Sequence, residues 1–216
     1  MPLSLELIAA AVLREARLRG PVDAYRLCDA AGFRVCLGYE GCTPTVAGDT
    51  VIVNPADPPE RRRFAAAHEL AHVLLRYYQH PDDEWSVNWL ASALLLPRDW
   101  FLERLAVRGW DLAGLREDCP HSSYEAIGRR IVNLGGAVMW VCDRHPDKRN
   151  GRRWISEDAP LSLTKPTRRE WDTVARVART GQPEYDTSLG AWPLEARGVL
   201  RVISLGRAAD LAQSTR

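Results

Sequence analysis

From Phe64 to Leu75 the apolar positions Phe64, Ala65, Ala67, Leu70, Ala71, Leu74 and Leu75 recur at helical spacing and form one broad face. A stripe that wide belongs to an embedded helix. The pattern predicts a helix from Pro58 to about Tyr78, with Asp57 as its cap, Pro58 in its first turn and Glu60 completing a capping box. His80-Pro81-Asp82 breaks it. A second helix is expected over 83–96 and ends before Pro97; a third follows over 98–107 and is closed by Gly109.

Upstream, Leu3, Leu7, Ile8, Ala11, Val12 and Ala16 predict a helix over 3–19, and 22–31 predicts another stopped by Gly32. Phe33 to Leu37 and Thr50 to Val53 are short β-branched or aromatic runs, expected as strands of a small sheet. Downstream, 111–117 and 122–134 read as two helices around a turn at Cys119-Pro120-His121, with Ser122 and Glu125 in capping-box register. A strand over 137–142, a polar turn over 145–151, a strand near Trp154, a helix over 167–179 opened by Thr167 and Glu170, and an apolar strand over 198–205 complete the chain. The expected fold class is α+β: a helix-rich core over 1–108, a helix-turn-helix-like segment over 109–135, and a small α/β module over 136–216.

Composition narrows the class. With 46% hydrophobic and 26% charged residues, the chain is an ordinary globular one. No apolar run has the length of a membrane span, and the stretch from Leu7 to Leu13 has Glu6 before it and no basic flank, unlike a secretion signal. A soluble, cytoplasmic protein is expected. Five cysteines with no C-x-x-C pair write neither a disulfide framework nor a thiolate zinc site. Net charge is +1, but residues 1–120 carry 13 Arg and 17 acids whereas residues 121–216 carry 14 Arg, 2 Lys and 11 acids. A solvated surface explains that asymmetry better than a nucleic-acid partner.

The chemistry concentrates in His68-Glu69-Leu70-Ala71-His72, an H-E-x-x-H pattern that chance would supply in about 0.007 copies at this composition. Two histidines four apart stack on one helix face, so both rings can reach one ion. Glu69 is turned by roughly 100° from His68, beside the ion and able to take a proton from water. A third protein ligand is required, with one position left open. Glu84, Asp82, Asp83 and His80 are the candidates: Glu84 is favoured because it begins a helix that returns after Pro81, while Asp82 or Asp83 suits that helix's cap. Asn88 shares the face of Glu84 and could orient a ligand. Trp85, Trp89 and Leu90 are expected in the core. His121, His145 and Tyr124 are the candidates for stabilising a transition state.

These residues resemble the ImmA/IrrE metallopeptidases, cytoplasmic bacterial enzymes linked to mobile-element control and stress response. Three blocks carry the similarity: Arg62-Arg63-Phe64-Ala65-Ala66-Ala67-His68-Glu69-Leu70-Ala71-His72 behind the strand at Thr50; Glu84-x-x-Val87-Asn88-Trp89-Leu90-Ala91-Ser92-x-Leu94-Leu95-Leu96-Pro97; and, more loosely, Ser122 to Leu134. It covers about residues 1–135. The resemblance implies a zincin-like core, zinc held by His68, His72 and Glu84, and Glu69 as general base. It also implies a protein substrate, a helix-turn-helix transcriptional repressor whose cleavage releases the genes it holds down. Radiation-response members carry a larger C-terminal sensory domain; here a smaller accessory module is expected.

Two other functions are compatible with parts of the sequence. A DNA-binding regulator would read its groove with residues 111–134, which offer mainly Arg129, Arg130 and Asn133. A non-catalytic interaction protein would keep the metal fold without using Glu69. Thr50 to Val53 is the expected edge strand for pairing with an extended substrate.

Overall fold

The computed structural model describes residues 3–143, 151–186, 188–196 and 199–213. Helices and two sheets make an α+β protein whose residues fall into two compact units, one formed by 2–109 with 115–123, the other mainly by 110–114 with 124–216. Of the turn expected over 145–151, residues 145–150, His145 among them, lie outside the described residues, and Gly151 begins a strand.

The first unit opens with α1 (Leu3–Glu15) and α2 (Ala24–Ala30). Helix α1 stops four residues short of the expected Arg19 because Arg17 turns left-handed (φ 55°). Leu18 N–H then bonds Leu13 C=O and Arg17 N–H bonds Arg14 C=O, which satisfies carbonyls left open at the helix end. Strands β1 (Arg34–Leu37), β2 (Thr45–Ala47) and β3 (Thr50–Val53) form a sheet in the order β1-β3-β2, with β1 parallel and β2 antiparallel to β3. The run Thr50 to Val53 is therefore central and not the edge expected for it. Val51 and Val53 are fully buried, and a strand with a buried face and two paired flanks has no free ladder. The edge beside it is β2, three residues too short to leave a pattern in the sequence.

The long apolar stripe becomes α3 (Pro59–Tyr77), followed by α4 (Glu84–Leu95) and α5 (Arg98–Arg108). Ala66, Ala67, Leu70, Ala71 and Leu75 are fully buried on α3, and Leu90, Ala91, Leu94 and Leu95 are buried on α4, where the two helices pack together. Each buried leucine contributes roughly 2 kcal/mol of burial. The capping box expected at Asp57 and Glu60 does not form. Pro58 occupies the cap without a side-chain bond, Asp57 pairs with Arg61, and Glu60 accepts from Arg116 at 2.9 Å. The box was outbid by a tertiary partner, since a charge-assisted bond to a guanidinium is the stronger contact.

Helix α6 (Leu112–Asp118) precedes α7 (Tyr124–Leu134), which packs on the sheet of the second unit. Glu125 spends its carboxylate on Arg129, Arg152 and Arg201. That sheet holds β4 (Ala137–Asp143), β5 (Gly151–Ile155), β6 (Glu184–Tyr185), β7 (Leu189–Ala196) and β8 (Val199–Arg207) in the order β5-β4-β8-β7-β6. Every pairing is antiparallel, so this module is α+β and not the α/β arrangement expected. Strand β7 was hidden by Pro193, which a paired strand tolerates only where its flank is open. Here β6 pairs with β7 only at Gly190 and Ala191, short of Pro193. Helix α8 (Arg168–Thr180) covers this sheet through Val174 and Val177 against Trp140, Ala191 and Val202, and α9 (Ala208–Gln213) follows β8. The Thr167–Glu170 capping box is present as expected.

Candidate metal centre

Helical spacing on α3 brings the rings of His68 and His72 edge to face with centroids 5.0 Å apart. Both offer Nε2 to the same carboxylate: His68 Nε2 lies 3.7 Å from Glu84 Oε2 and His72 Nε2 lies 3.8 Å from Glu84 Oε1. One ligand atom from each of the three residues falls within 4.8 Å of the others. Two imidazoles and one carboxylate in such reach fit a divalent cation of the zinc type, and these three are the residues that could hold it.

The approach of Glu84 depends on how α3 ends. Tyr78 closes the helix, Gln79 turns left-handed (φ 53°), and the N–H groups of Gln79 and His80 bond the carbonyls of Arg76 and Leu75. This is the 6→1 and 5→2 bond pair that reverses a chain at a helix end. Asp83 then caps α4 by accepting from Ser86 N–H at 2.9 Å, which sets Glu84 at the first position of α4.

The other third-ligand candidates go elsewhere. Asp83 is the cap. His80 lies 3.2 Å from Ser4 Oγ through its Nε2. Asp82 is neither cap nor ligand: its Oδ1 lies 2.5 Å from His72 Nδ1, and its Oδ2 accepts from Arg76 Nε at 2.9 Å. No spacing in the sequence marks Asp82 for this role, because only the chain reversal brings its carboxylate beside the second nitrogen of His72. Asn88 donates to the Glu84 backbone carbonyl at 2.6 Å, and its side chain favours the protonated form of His68.

Burial is the main influence on two ionisable groups here. It holds the His68 imidazole below its ordinary pKa, with Glu84 opposing and His72 adding to the effect. It also pushes the Glu69 carboxyl up, against His72 and Arg76 and with Glu84. A neutral His68 keeps a lone pair for a cation, and a more basic Glu69 is a better proton acceptor.

Trp85 is not in the core: it is 53% exposed and packs on Trp89, whose indole N–H donates to Glu6 at 3.1 Å. Trp89 and Leu90 are buried as expected. Among the proposed transition-state helpers, His121 Nε2 stands 3.9 Å from Asp23, and Tyr124 begins α7.

Residues 38–132 match the Peptidase_M78 family model, described as the IrrE N-terminal-like domain. Over this span the chain is similar to an IrrE-like peptidase domain. The matched span includes His68, Glu69, His72, Glu84 and Asn88, and leaves α1, α2 and all of β1 outside it. Peptidases of this family are metallopeptidases, which agrees with a His/His/Glu donor set. No curated protein matches the chain. Among the described residues no helix is long and apolar enough to cross a membrane.

Proposed function

We propose that this protein is a zinc-dependent, site-specific endopeptidase of the bacterial cytoplasm that cleaves a helix-turn-helix transcriptional repressor and so releases stress-response or mobile-element genes. The observation that carries the peptidase part is the convergence of His68 Nε2 and His72 Nε2 on the carboxylate of Glu84, with Glu69 on the same helix turn. The repressor rests on the family resemblance.

His68, His72 and Glu84 hold zinc in this proposal. Bound there, the cation supplies Lewis acidity, which makes water nucleophilic near neutral pH and polarises a peptide carbonyl. Glu69 takes a proton from the attacking water and returns it to the leaving nitrogen. A carboxyl made more basic by burial suits the first of these steps, and its protonated form suits the second.

The reading as a DNA-binding regulator finds little support in α7. Arg130 is fully buried; Arg129 lies over the Trp154 ring at 4.2 Å and pairs with Glu125 at 3.0 Å. Neither side chain is displayed for groove contacts, which need several extended basic or amide groups.

The test is metal analysis of the purified protein combined with incubation against a repressor encoded beside it. Stoichiometric zinc and a discrete cut, abolished by a chelator, support the proposal; an intact repressor with zinc bound would remove that substrate, and no metal uptake would remove the peptidase.

Substrate backbone is held by strand addition to β2, the edge strand of the three-stranded sheet that packs against α3. In an antiparallel pair adjacent residues alternate between donating inward and outward, so one of Thr45 and Val46 points its N–H away from β3. Proline at that outward position is expected to keep zinc content and melting temperature and to slow cleavage about five-fold, the loss of one net hydrogen bond. Both proline variants cleaving at the wild-type rate would exclude β2 as the docking edge.

A further inference from the structure

We infer that Asp82 is a positioning residue for the metal centre, fixing which nitrogen of His72 faces the ion and holding that ring in place, with Arg76 anchoring it from behind. The inference deepens the functional reading above and rests on it.

The geometry starts from the end of α3. The left-handed turn at Gln79 sends the chain back past the last turn of its own helix, where Arg76 follows His72 by four residues and so lies on the same face. Asp82 arrives between them and meets both. Its Oδ1 lies 2.5 Å from His72 Nδ1, and its Oδ2 lies 2.9 Å from Arg76 Nε.

An ionised carboxylate can only accept, so in this contact Nδ1 must carry the hydrogen. A neutral imidazole then has its lone pair on Nε2, and Nε2 is the atom 3.8 Å from Glu84 Oε1. The bond therefore selects the tautomer that a cation beside Glu84 requires. Arg76 occupies the second carboxylate oxygen, which prevents Asp82 from swinging away. A carboxylate on the far side of the ring also makes Nε2 a stronger donor to a cation.

A stability role alone does not explain the trio. Arg76 is 65% exposed and Asp82 29% exposed, and ion pairs of such exposure contribute little to folding. A carboxylate that orients a ligand and one that merely decorates a loop thus differ in a measurable way: only the first changes affinity for metal more than it changes the metal-free fold.

The experiment titrates zinc against a competing chelator for wild type, Asp82→Ala, Asp82→Asn and Arg76→Ala, and records thermal unfolding of each metal-free protein. Asp82→Ala is expected to weaken zinc binding by about 10- to 100-fold with the metal-free melting curve nearly unchanged. Asp82→Asn, whose amide oxygen can still accept from Nδ1–H, recovers part of that loss, and Arg76→Ala loses less than Asp82→Ala. Zinc affinity of Asp82→Ala within two-fold of wild type overturns the inference alone. If the alanine variant is unfolded, the asparagine and Arg76 variants decide: both at wild-type affinity also overturn it. Wild-type protein that takes up no zinc overturns it together with the functional reading.

Discussion

Glutamine in place of Glu69 is expected to slow peptide cleavage by at least about a hundred-fold while zinc uptake stays at the wild-type level. Glutamine has the shape of glutamate and no basic oxygen, so the proton-transfer route is removed and the donors His68, His72 and Glu84 are untouched. A structural defect would lower both readouts, whereas loss of a general base lowers one. The same variant carries a stability signature. Burial raises the folded-state pKa of Glu69, so the folded chain holds that proton more tightly than the unfolded one. The resulting contribution to stability is present in acid and lost as pH rises through the folded value. Metal-free Glu69→Gln is therefore expected to melt above metal-free wild type at neutral pH, with the difference vanishing toward about pH 3, below the unfolded-state pKa, where the wild-type carboxyl is protonated in both states. Melting curves in a chelator across that range test this; a variant that melts lower at neutral pH, or cleaves at an unchanged rate, would contradict the role given to Glu69.

Alanine in place of Glu170 is expected to destabilise the second unit by about 3–5 kcal/mol, because it breaks a buried ion pair and leaves a guanidinium without its counter-charge. Glu170 is 1% exposed and Arg153 9%; they meet at 2.8 Å, and Arg153 also donates to the Leu163 carbonyl at 2.8 Å. The same carboxylate accepts from Thr167 N–H at 2.8 Å and completes the cap of α8. One side chain thus ties the start of α8 to β5 and to the 3-10 turn Leu161–Thr164. Loss of the cap alone would account for about 1 kcal/mol. Denaturant titration followed by tryptophan fluorescence reads the effect, since Trp171 of α8 meets Trp140 of β4 edge to face with ring centroids 4.4 Å apart. Glu170→Gln, which keeps an acceptor for the cap, should lose less. A change under about 1 kcal/mol in the alanine variant would show that Arg153 finds water or another partner readily.

Much of the site was legible before any coordinates. His68, Glu69 and His72 follow from a pattern of spacing, because a helix turns a four-residue interval into a shared face whatever surrounds it. The helices α3, α4 and α8 follow for the same reason: each carries a local period, and Pro97 and the Thr167–Glu170 box punctuate two of them. The errors lie where local signals compete with distant partners. Glu60 had a capping position and took Arg116 instead; Trp85 had an aromatic's preference for the core and stands exposed at the first turn of α4.

What the chain alone determined is the chemistry available: two imidazoles on one face, a carboxylate between them, and a short menu of acidic residues after Pro81. Which of those acids does what was decided only in three dimensions. Glu84 faces both rings, Asp83 caps, and Asp82 grips His72 from behind, since a left-handed residue at Gln79 turns the chain through one particular angle. The position of β3 between two neighbours was likewise beyond the sequence, because strand order is set by which edges meet and no local period encodes it.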